Sequence, residues 1–409
     1  MKNNKTYIPS LFSKLTNLTQ KYSLFRKMKA LMYYSDAVLS LFIKKPKYKH
    51  SKKKKVLIIY NLAFGDGVIF RCSLIYLRKI YPKNKYDITL ICQKGIDKLY
   101  DKDDIFDKII AIDCNKATVN LKERIKNFKI IRENYYDIII DPVGIFEYTT
   151  NVLYTRIAVG NKKIGYIDNN SKVYISRRKI KKIYNRIIEL DKKDVSLLEY
   201  YNIFFNKLAG KENKIPLGFQ KLKTTPTKLE LPKDYFIIFP SASIGLKRWP
   251  INRFAELAKK VYQKTNMTLV LVGTQTDLEA INELVEQLDT SIPYLNLVLK
   301  TSLNDYIDII KKAKLVITND TSAYHIAVIE EVNCALIAGA YTYDRYALYD
   351  FPNKEKYKRP CVIVKDKSCK NCNNRCPYLN KDDKTWPCLN EITVNYAFKK
   401  IEKLLDENN

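Results

Sequence analysis

From residue 56 onward, short apolar runs alternate with stretches of helical periodicity. Val56–Tyr60, Ile88–Cys92, Lys108–Ile112 and Asp137–Ile140 read as buried strands. Between them Val68–Ile80, a short segment near Ile96 and Leu121–Arg132 read as helices. An aromatic-rich helix is expected over Leu197–Leu208, and residues 214–233, with Pro216, Pro226 and Pro232, read as a linker. The alternation then resumes with strand Tyr235–Phe239, helix Phe254–Lys264, strand Leu269–Val272 and helices Leu278–Leu288 and Leu303–Lys312. Strand Leu315–Ile317, a turn at Asn319–Ser322, a helix over Tyr324–Ile329, strand Cys334–Ala338 and a last helix Val394–Leu405 complete the pattern. Strands separated by helices predict doubly wound parallel sheets. The pattern divides the chain into an arm (1–55), a first α/β domain (56–213), the linker, and a second α/β domain (234–409).

The length of 409 residues supports that division, since single cores rarely grow beyond about 250–300 residues. A net charge of +30 points to an anionic partner: nucleic acid, a membrane surface or a phosphorylated glycolipid. The arm holds fifteen Lys or Arg against one acid, Asp36. In it Leu11, Leu15, Leu18, Tyr22, Phe25 and Met32 recur at helical spacing, with Lys14, Lys21 and Lys29 between them. That suits a helix lying on an anionic membrane face; it also suits a helix packed on its own domain. No stretch has the length and apolarity of a membrane span, and Ala37–Ile43 is short for a signal peptide. The expected location is the cytoplasm, with peripheral attachment to the inner membrane face.

The chemistry concentrates in Leu315–Tyr346, a strand, loop, helix, strand unit. Ligands of parallel sheets sit at the carboxyl ends of strands, where a helix N-terminus offers unpaired N–H groups to an anion. Asp320, Thr321, Ser322 and His325 thus form a candidate diphosphate site. Asp320 or Thr321 also fits a simple N-cap, and His325 a packing residue. Ser241, Ser243 and Thr321 can add hydroxyl donors. The loop Asn61–Gly67 lacks the three-glycine dinucleotide fingerprint.

Asp320-Thr321-Ser322-Ala323-Tyr324-His325, followed by Gly339-Ala340-Tyr341-Thr342, resembles the nucleotide-sugar signature of glycosyltransferase family 9, the lipopolysaccharide heptosyltransferases and their relatives. Gly65-Asp66, then Lys247-Arg248-Trp249-Pro250 with Phe254–Ala258, then the Cys369–Cys388 segment agree in the same order, over roughly residues 56–400. The resemblance implies the GT-B architecture, two Rossmann-like domains facing across a cleft, with the final helix crossing back to the first. It implies an inverting transferase that moves a heptose or related sugar from a nucleotide-diphosphate sugar, ADP-heptose foremost, to a lipopolysaccharide core or other anionic glycan. Asp66 then matches the base, Lys247 the phosphate-facing lysine, and Asp277 or Glu279 an acid near the ribose. Arg177, Arg178, Lys181 and Lys182 lie where the family meets its acceptor, though they also suit a solvated surface. Cys72, Ser322 and Ala340-Tyr341 depart from the family pattern and mark a divergent member.

No metal cofactor is required by this scheme, because lysine and helix N-terminus do the work of a cation. Asp101-Lys102-Asp103 has paired-acid spacing but lies away from the other motifs. Cys369, Cys372, Cys376 and Cys388 fit either a structural zinc site or a thiol-rich packed loop. The reading from another class is a basic nucleic-acid-binding protein with a zinc knuckle. It predicts a compact basic domain, whereas the charge here is spread over an arm and two α/β domains, so no nucleic-acid partner is expected.

Overall fold

The computed structural model describes residues 23–169, 173–191, 195–210, 218–374 and 376–407, with side chains from residue 31 onward. The predicted arm positions Leu11, Lys14, Leu15, Leu18, Lys21 and Tyr22, the side chains of Phe25 and Lys29, and linker residues 214–217 lie outside that description.

The chain forms two compact units. One comprises Met1–Ala63, Leu74–Lys193 and Tyr201–Ile215; the other Phe64–Ser73, Asp194–Tyr200 and Pro216–Asn409. The stretch Phe64–Ser73, expected in the first domain, therefore packs with the second unit.

Among the described residues the first unit carries a six-stranded parallel sheet. Its strands are β1 (Lys54–Tyr60), β2 (Tyr86–Gln93), β3 (Lys108–Ile112), β4 (Tyr135–Ile140), β5 (Val159–Asp168) and β6 (Arg186–Leu190), in the order β3-β2-β1-β4-β5-β6. Val56 to Tyr60 are wholly buried, as expected of a central strand covered on both faces. The second unit repeats this topology with β7 (Tyr235–Phe239), β8 (Thr268–Leu271), β9 (Tyr294–Asn296), β10 (Leu315–Thr318), β11 (Cys334–Ile337) and β12 (Cys361–Ile363), ordered β12-β11-β10-β7-β8-β9. In each sheet the order reverses direction between its first and fourth strands, where a doubly wound sheet binds ligands.

Local chemistry sets the helices. Ile251–Thr265 buries Ile251, Phe254, Ala255, Leu257, Ala258 and Val261 along one stripe, and it ends at Asn266 in the left-handed region, φ 54°. Leu303–Lys312 begins with a capping box between Ser302 and Asp305. The final helix, Val394–Asp406, buries Val394, Ala397, Ile401, Leu404 and Leu405 in the second unit's own core. Its apolar stripe packs into that core.

The N-terminal helix Ser23–Leu41 packs on the first unit. Its inward face carries Tyr33, Asp36 and Ser40, all buried. Arg124 bridges Asp36 at 2.8 Å, Arg156 donates to the Tyr33 carbonyl at 2.8 Å, and Arg132 donates to the carbonyls of Ser40 and Ile43. Three arginines thus secure this end of the arm, which the periodicity alone left open to a packed or a membrane-bound role. No described helix is long and apolar enough to cross a membrane.

Candidate active site

The site forms in the second unit at the carboxyl end of β10. The strand ends at Thr318, and the next residue, Asn319, is fully buried. Its amide donates to the Pro240 carbonyl at 2.7 Å, and its side-chain oxygen accepts from the Trp249 backbone at 3.1 Å. One asparagine therefore joins the loop after β7, the segment before helix Ile251–Thr265 and the end of β10. Trp249 completes the brace, wholly buried, with its indole N–H on the Ile392 carbonyl at 2.9 Å.

That brace presents Lys247 to Asp320, Nζ to carboxylate 2.7 Å, with both side chains largely buried. The Lys247 ammonium also lies 4.9 Å from the centre of the Tyr341 ring. Burial pushes the Asp320 carboxyl up, but the charge and hydrogen bond of Lys247 outweigh it and hold it below the usual carboxylate range. Asp320 is ionised at neutral pH and fixes the ammonium beside the following helix.

That helix is Ser322–Ile329. Its N-cap residue, Thr321, has extended backbone (φ −139°, ψ 176°) and makes no side-chain cap bond. Its hydroxyl instead meets the Thr318 hydroxyl at 2.9 Å. Neither Asp320 nor Thr321 gives the helix a side-chain cap bond, so the first-turn N–H groups keep their capacity for an anion. Ser322 stands 3.4 Å from the Tyr306 hydroxyl.

His325 is buried one turn further along, its Nδ1 2.7 Å from the Tyr349 hydroxyl. Burial pushes the imidazole down to about 4 despite the nearby Asp320 charge, so it is neutral at pH 7. A Cβ on Gly65 would stand 2.9 Å from the imidazole Cδ2 and 3.4 Å from the Ser322 Cα. Glycine is required there to bring helix Phe64–Arg71 against this one. Helix Phe64–Arg71 carries Asp66 in its first turn. Asp66 therefore lies inside the helix and is not its N-cap. The predicted single helix Val68–Ile80 is two, Phe64–Arg71 and Ile75–Ile80. Burial pushes the Tyr346 phenol up, with the Asp66 charge next, Arg345 opposing and the Asp320 charge adding a smaller push. Through Gly65, helix Phe64–Arg71 packs on the helix that follows Asp320, so the two acids stand on neighbouring elements.

Ser241 is buried and hydrogen-bonded to Asp277. Asp277 also accepts from the backbone of Thr274 at 2.8 Å, so it shapes the loop after β8, while Glu279 and Ser243 are exposed. Arg177, Arg178 and Lys181 stand on helix Arg177–Lys181 of the first unit, with Lys182 as its C-cap, and Arg177 is ion-paired with Glu189. The structure thus gathers Asp66, Ser241, Lys247, Asp277, Asp320, Thr321, Ser322 and His325 in the second unit and leaves the basic cluster on the first. Asn319, Tyr346 and Tyr349 were not singled out in the sequence. Asn319 had a signal: a polar residue directly after an apolar strand of a parallel sheet.

Among the described residues no group of three or more His, Cys, Asp or Glu is placed to hold a metal ion. Cys372 and Cys376 pack against the second unit's core, and Cys388 is buried in it. The cysteine loop hydrogen-bonds onto the 339–342 turn, Asn371 N–H to the Ala340 carbonyl and Asn373 N–H to the Tyr341 carbonyl, each 2.8 Å. It braces the turn that carries Tyr341 over Lys247.

The model of glycosyltransferase family 9 (heptosyltransferase) matches residues 124–331, just over half of the chain. The chain belongs to this family. The transferase is 24% identical to lipooligosaccharide heptosyltransferase 2 of Haemophilus ducreyi over 67% of its own length and 79% of the relative's. Its fold matches a family 9 glycosyltransferase of Veillonella parvula (TM-score 0.66, 18% identity, 88% of this chain and 100% of the other). It also matches the ADP-heptose lipopolysaccharide heptosyltransferase II of Escherichia coli (TM-score 0.63, 20% identity, 87% and 99%). The nucleic-acid-binding alternative finds no support in these comparisons.

Proposed function

We propose that this transferase moves heptose, with inversion, from ADP-heptose to the core of lipopolysaccharide or a similar anionic glycan. Its basic arm would hold it at an anionic membrane face. Family membership supports the sugar class, and the names of its relatives support the donor and acceptor. The observation that carries the reading is the Lys247–Asp320 pair at 2.7 Å beside a helix N-terminus without a side-chain cap bond. A fixed cation and converging N–H groups are what a departing diphosphate needs.

Asp66 takes the proton of the acceptor hydroxyl. The oxygen then forms its bond to the anomeric carbon as the bond from that carbon to the phosphate oxygen breaks, and ADP leaves with the electron pair. Lys247 and the first turn of helix Ser322–Ile329 receive the charge that collects on the diphosphate. Asp320 keeps Lys247 in position. Ser241, Ser243, Asp277 and His325 line the donor side.

The test is thermal stabilisation by ADP-, GDP-, UDP- and dTDP-sugars. Stabilisation by ADP-heptose above the others is expected. Preference for another nucleotide moves the donor assignment, and no stabilisation of the folded protein by any of them overturns the reading.

A further inference from the structure

Helix Ser23–Leu41 has a second face that nothing described covers. Leu31, Tyr34, Val38 and Leu41 fall on one side by helical spacing, opposite the buried Tyr33, Asp36 and Ser40. Phe42 extends the stripe past the last turn. Leu31 is 68% exposed, Leu41 74% and Phe42 84%. Five large apolar side chains in one contiguous exposed stripe are unusual on a soluble domain and mark an interaction surface. This is a different stripe from the one the periodicity suggests, which ran through Leu11, Leu15, Leu18, Tyr22, Phe25 and Met32.

Charge surrounds it. Exposed Lys44, Lys45, Lys47, Lys49 and Lys52 follow Phe42 directly in sequence. Beside it stands helix Arg177–Lys181, joined to the stripe by Lys179, whose ammonium lies 2.5 Å from the Tyr34 hydroxyl and 5.2 Å from its ring centre. Arg178, Lys181 and Lys182 of that helix are exposed. Arg177 is paired with Glu189, so the surface draws on its neighbours and not on it. Two basic segments more than a hundred residues apart in sequence thus adjoin one apolar stripe, one by contact and one along the chain.

We propose that this composite surface of the first unit docks on an anionic lipid bilayer, with Leu31, Tyr34, Val38, Leu41 and Phe42 entering the headgroup boundary. Lys44–Lys52 together with Arg178, Lys179, Lys181 and Lys182 meet the lipid phosphates. The proposal rests on the reading that the arm serves a membrane face, and it reassigns the 177–182 cluster from the acceptor to the lipid. Apolar insertion flanked by basic side chains is the chemistry of an interfacial helix. A nucleic acid would leave the apolar stripe unused, and a protein partner would leave the two lysine-rich flanks without a stated counterpart.

The test is sedimentation of the full chain with phosphatidylcholine vesicles made with and without phosphatidylglycerol, containing no glycan acceptor. It compares wild type, Val38→Ser/Leu41→Ser/Phe42→Ser and Arg178→Ala/Lys181→Ala/Lys182→Ala. Wild type should bind the anionic vesicles at least about tenfold more tightly than the neutral ones, and less as salt rises. Each triple variant should lose about tenfold or more while keeping its melting temperature and its stabilisation by nucleotide sugar. Equal binding to both vesicles, no binding by wild type, or wild-type binding by either variant overturns the proposal. So does a serine variant that only converts a dimer to a monomer on a sizing column. Nucleotide-sugar stabilisation is read on soluble protein, so failure of the lipid surface and failure of the transferase reading are separate results.

Discussion

The two sheets have the same strand order, and in each the fourth strand leads into an aspartate, yet the two aspartates are built for opposite ends. Asp141 follows β4, and its partners are the Tyr184 hydroxyl at 2.6 Å, the Asn151 amide at 3.1 Å and the Val143 N–H at 3.1 Å. No cation is among them, and burial pushes its carboxyl up to about 6. Asn151 passes the network on to the Ile59 carbonyl and the Asn61 N–H, closing it around the loop after β1. Asp320 follows β10 and holds Lys247, which keeps it ionised beside a helix N-terminus. An aspartate just past the fourth strand is enclosed by neutral donors in one sheet and held by a lysine in the other. Fold supplies the position; the partner decides the role.

If that contrast is right, substitutions on the second unit's motif change chemistry with the fold intact, and substitutions around Asp141 change stability with donor binding intact. The largest effect is expected at Asp66. Asp66→Asn should lower the turnover of sugar transfer by about 10²–10⁴ with the melting temperature unchanged. A rate within a factor of a few of wild type would remove Asp66 from the role of base.

Next comes the pH dependence of Asp141. Its folded pKa lies above the ordinary carboxylate value, so the folded protein holds this proton more tightly than the unfolded chain. The stabilisation is fully present below about pH 4 and is lost as pH rises through 6, a swing of roughly 3 kcal/mol. Asp141→Asn cannot ionise, so the wild type should lose stability relative to the variant as pH rises from 4 to 7 in urea unfolding. Asp320 has the opposite sign: its pKa is depressed, so its contribution is present at neutral pH and is lost on acidification through its folded value. Parallel curves for wild type and Asp141→Asn would contradict the account of that network.

A smaller effect is expected at Gly65. Gly65→Ala puts a methyl 2.9 Å from a buried imidazole ring that Tyr349 holds in place. Overpacking of this kind typically costs about 1–3 kcal/mol. A lowered melting temperature with weaker donor binding is expected, since the same methyl presses on Ser322. Unchanged melting and unchanged binding would mean that the two helices do not need to approach so closely.

Much of this arrangement was legible in the chain. β1, β7, β10 and β11 are apolar runs bounded by turn residues, and their burial on both faces is what such runs encode. β5 and β6 were not legible. Val159–Asp168 begins with Gly160, Asn161, Lys162 and Lys163, exposed or half-buried at the strand's start, and Arg186 opens the edge strand. β9 and β12 are three residues each, too short for a period to register. Asp66, Lys247 and Asp320 were found through their motifs. The joining of Lys247 to Asp320 by Asn319 and Trp249 depends on contacts across about 70 positions of sequence, which no local pattern carries. The exposed stripe of the first helix was also hidden, because which face of an amphipathic helix turns inward is decided by Arg124, Arg132 and Arg156 on other elements.

The comparison is tested most directly by measuring ADP binding calorimetrically to wild type, Lys247→Gln and Asp141→Asn. Glutamine retains a hydrogen bond for Asp320 while removing the cation. The account predicts binding weakened at least about tenfold by Lys247→Gln and unchanged in Asp141→Asn. Wild-type affinity in Lys247→Gln, or a loss confined to Asp141→Asn, would contradict the placement of the diphosphate site at the end of β10.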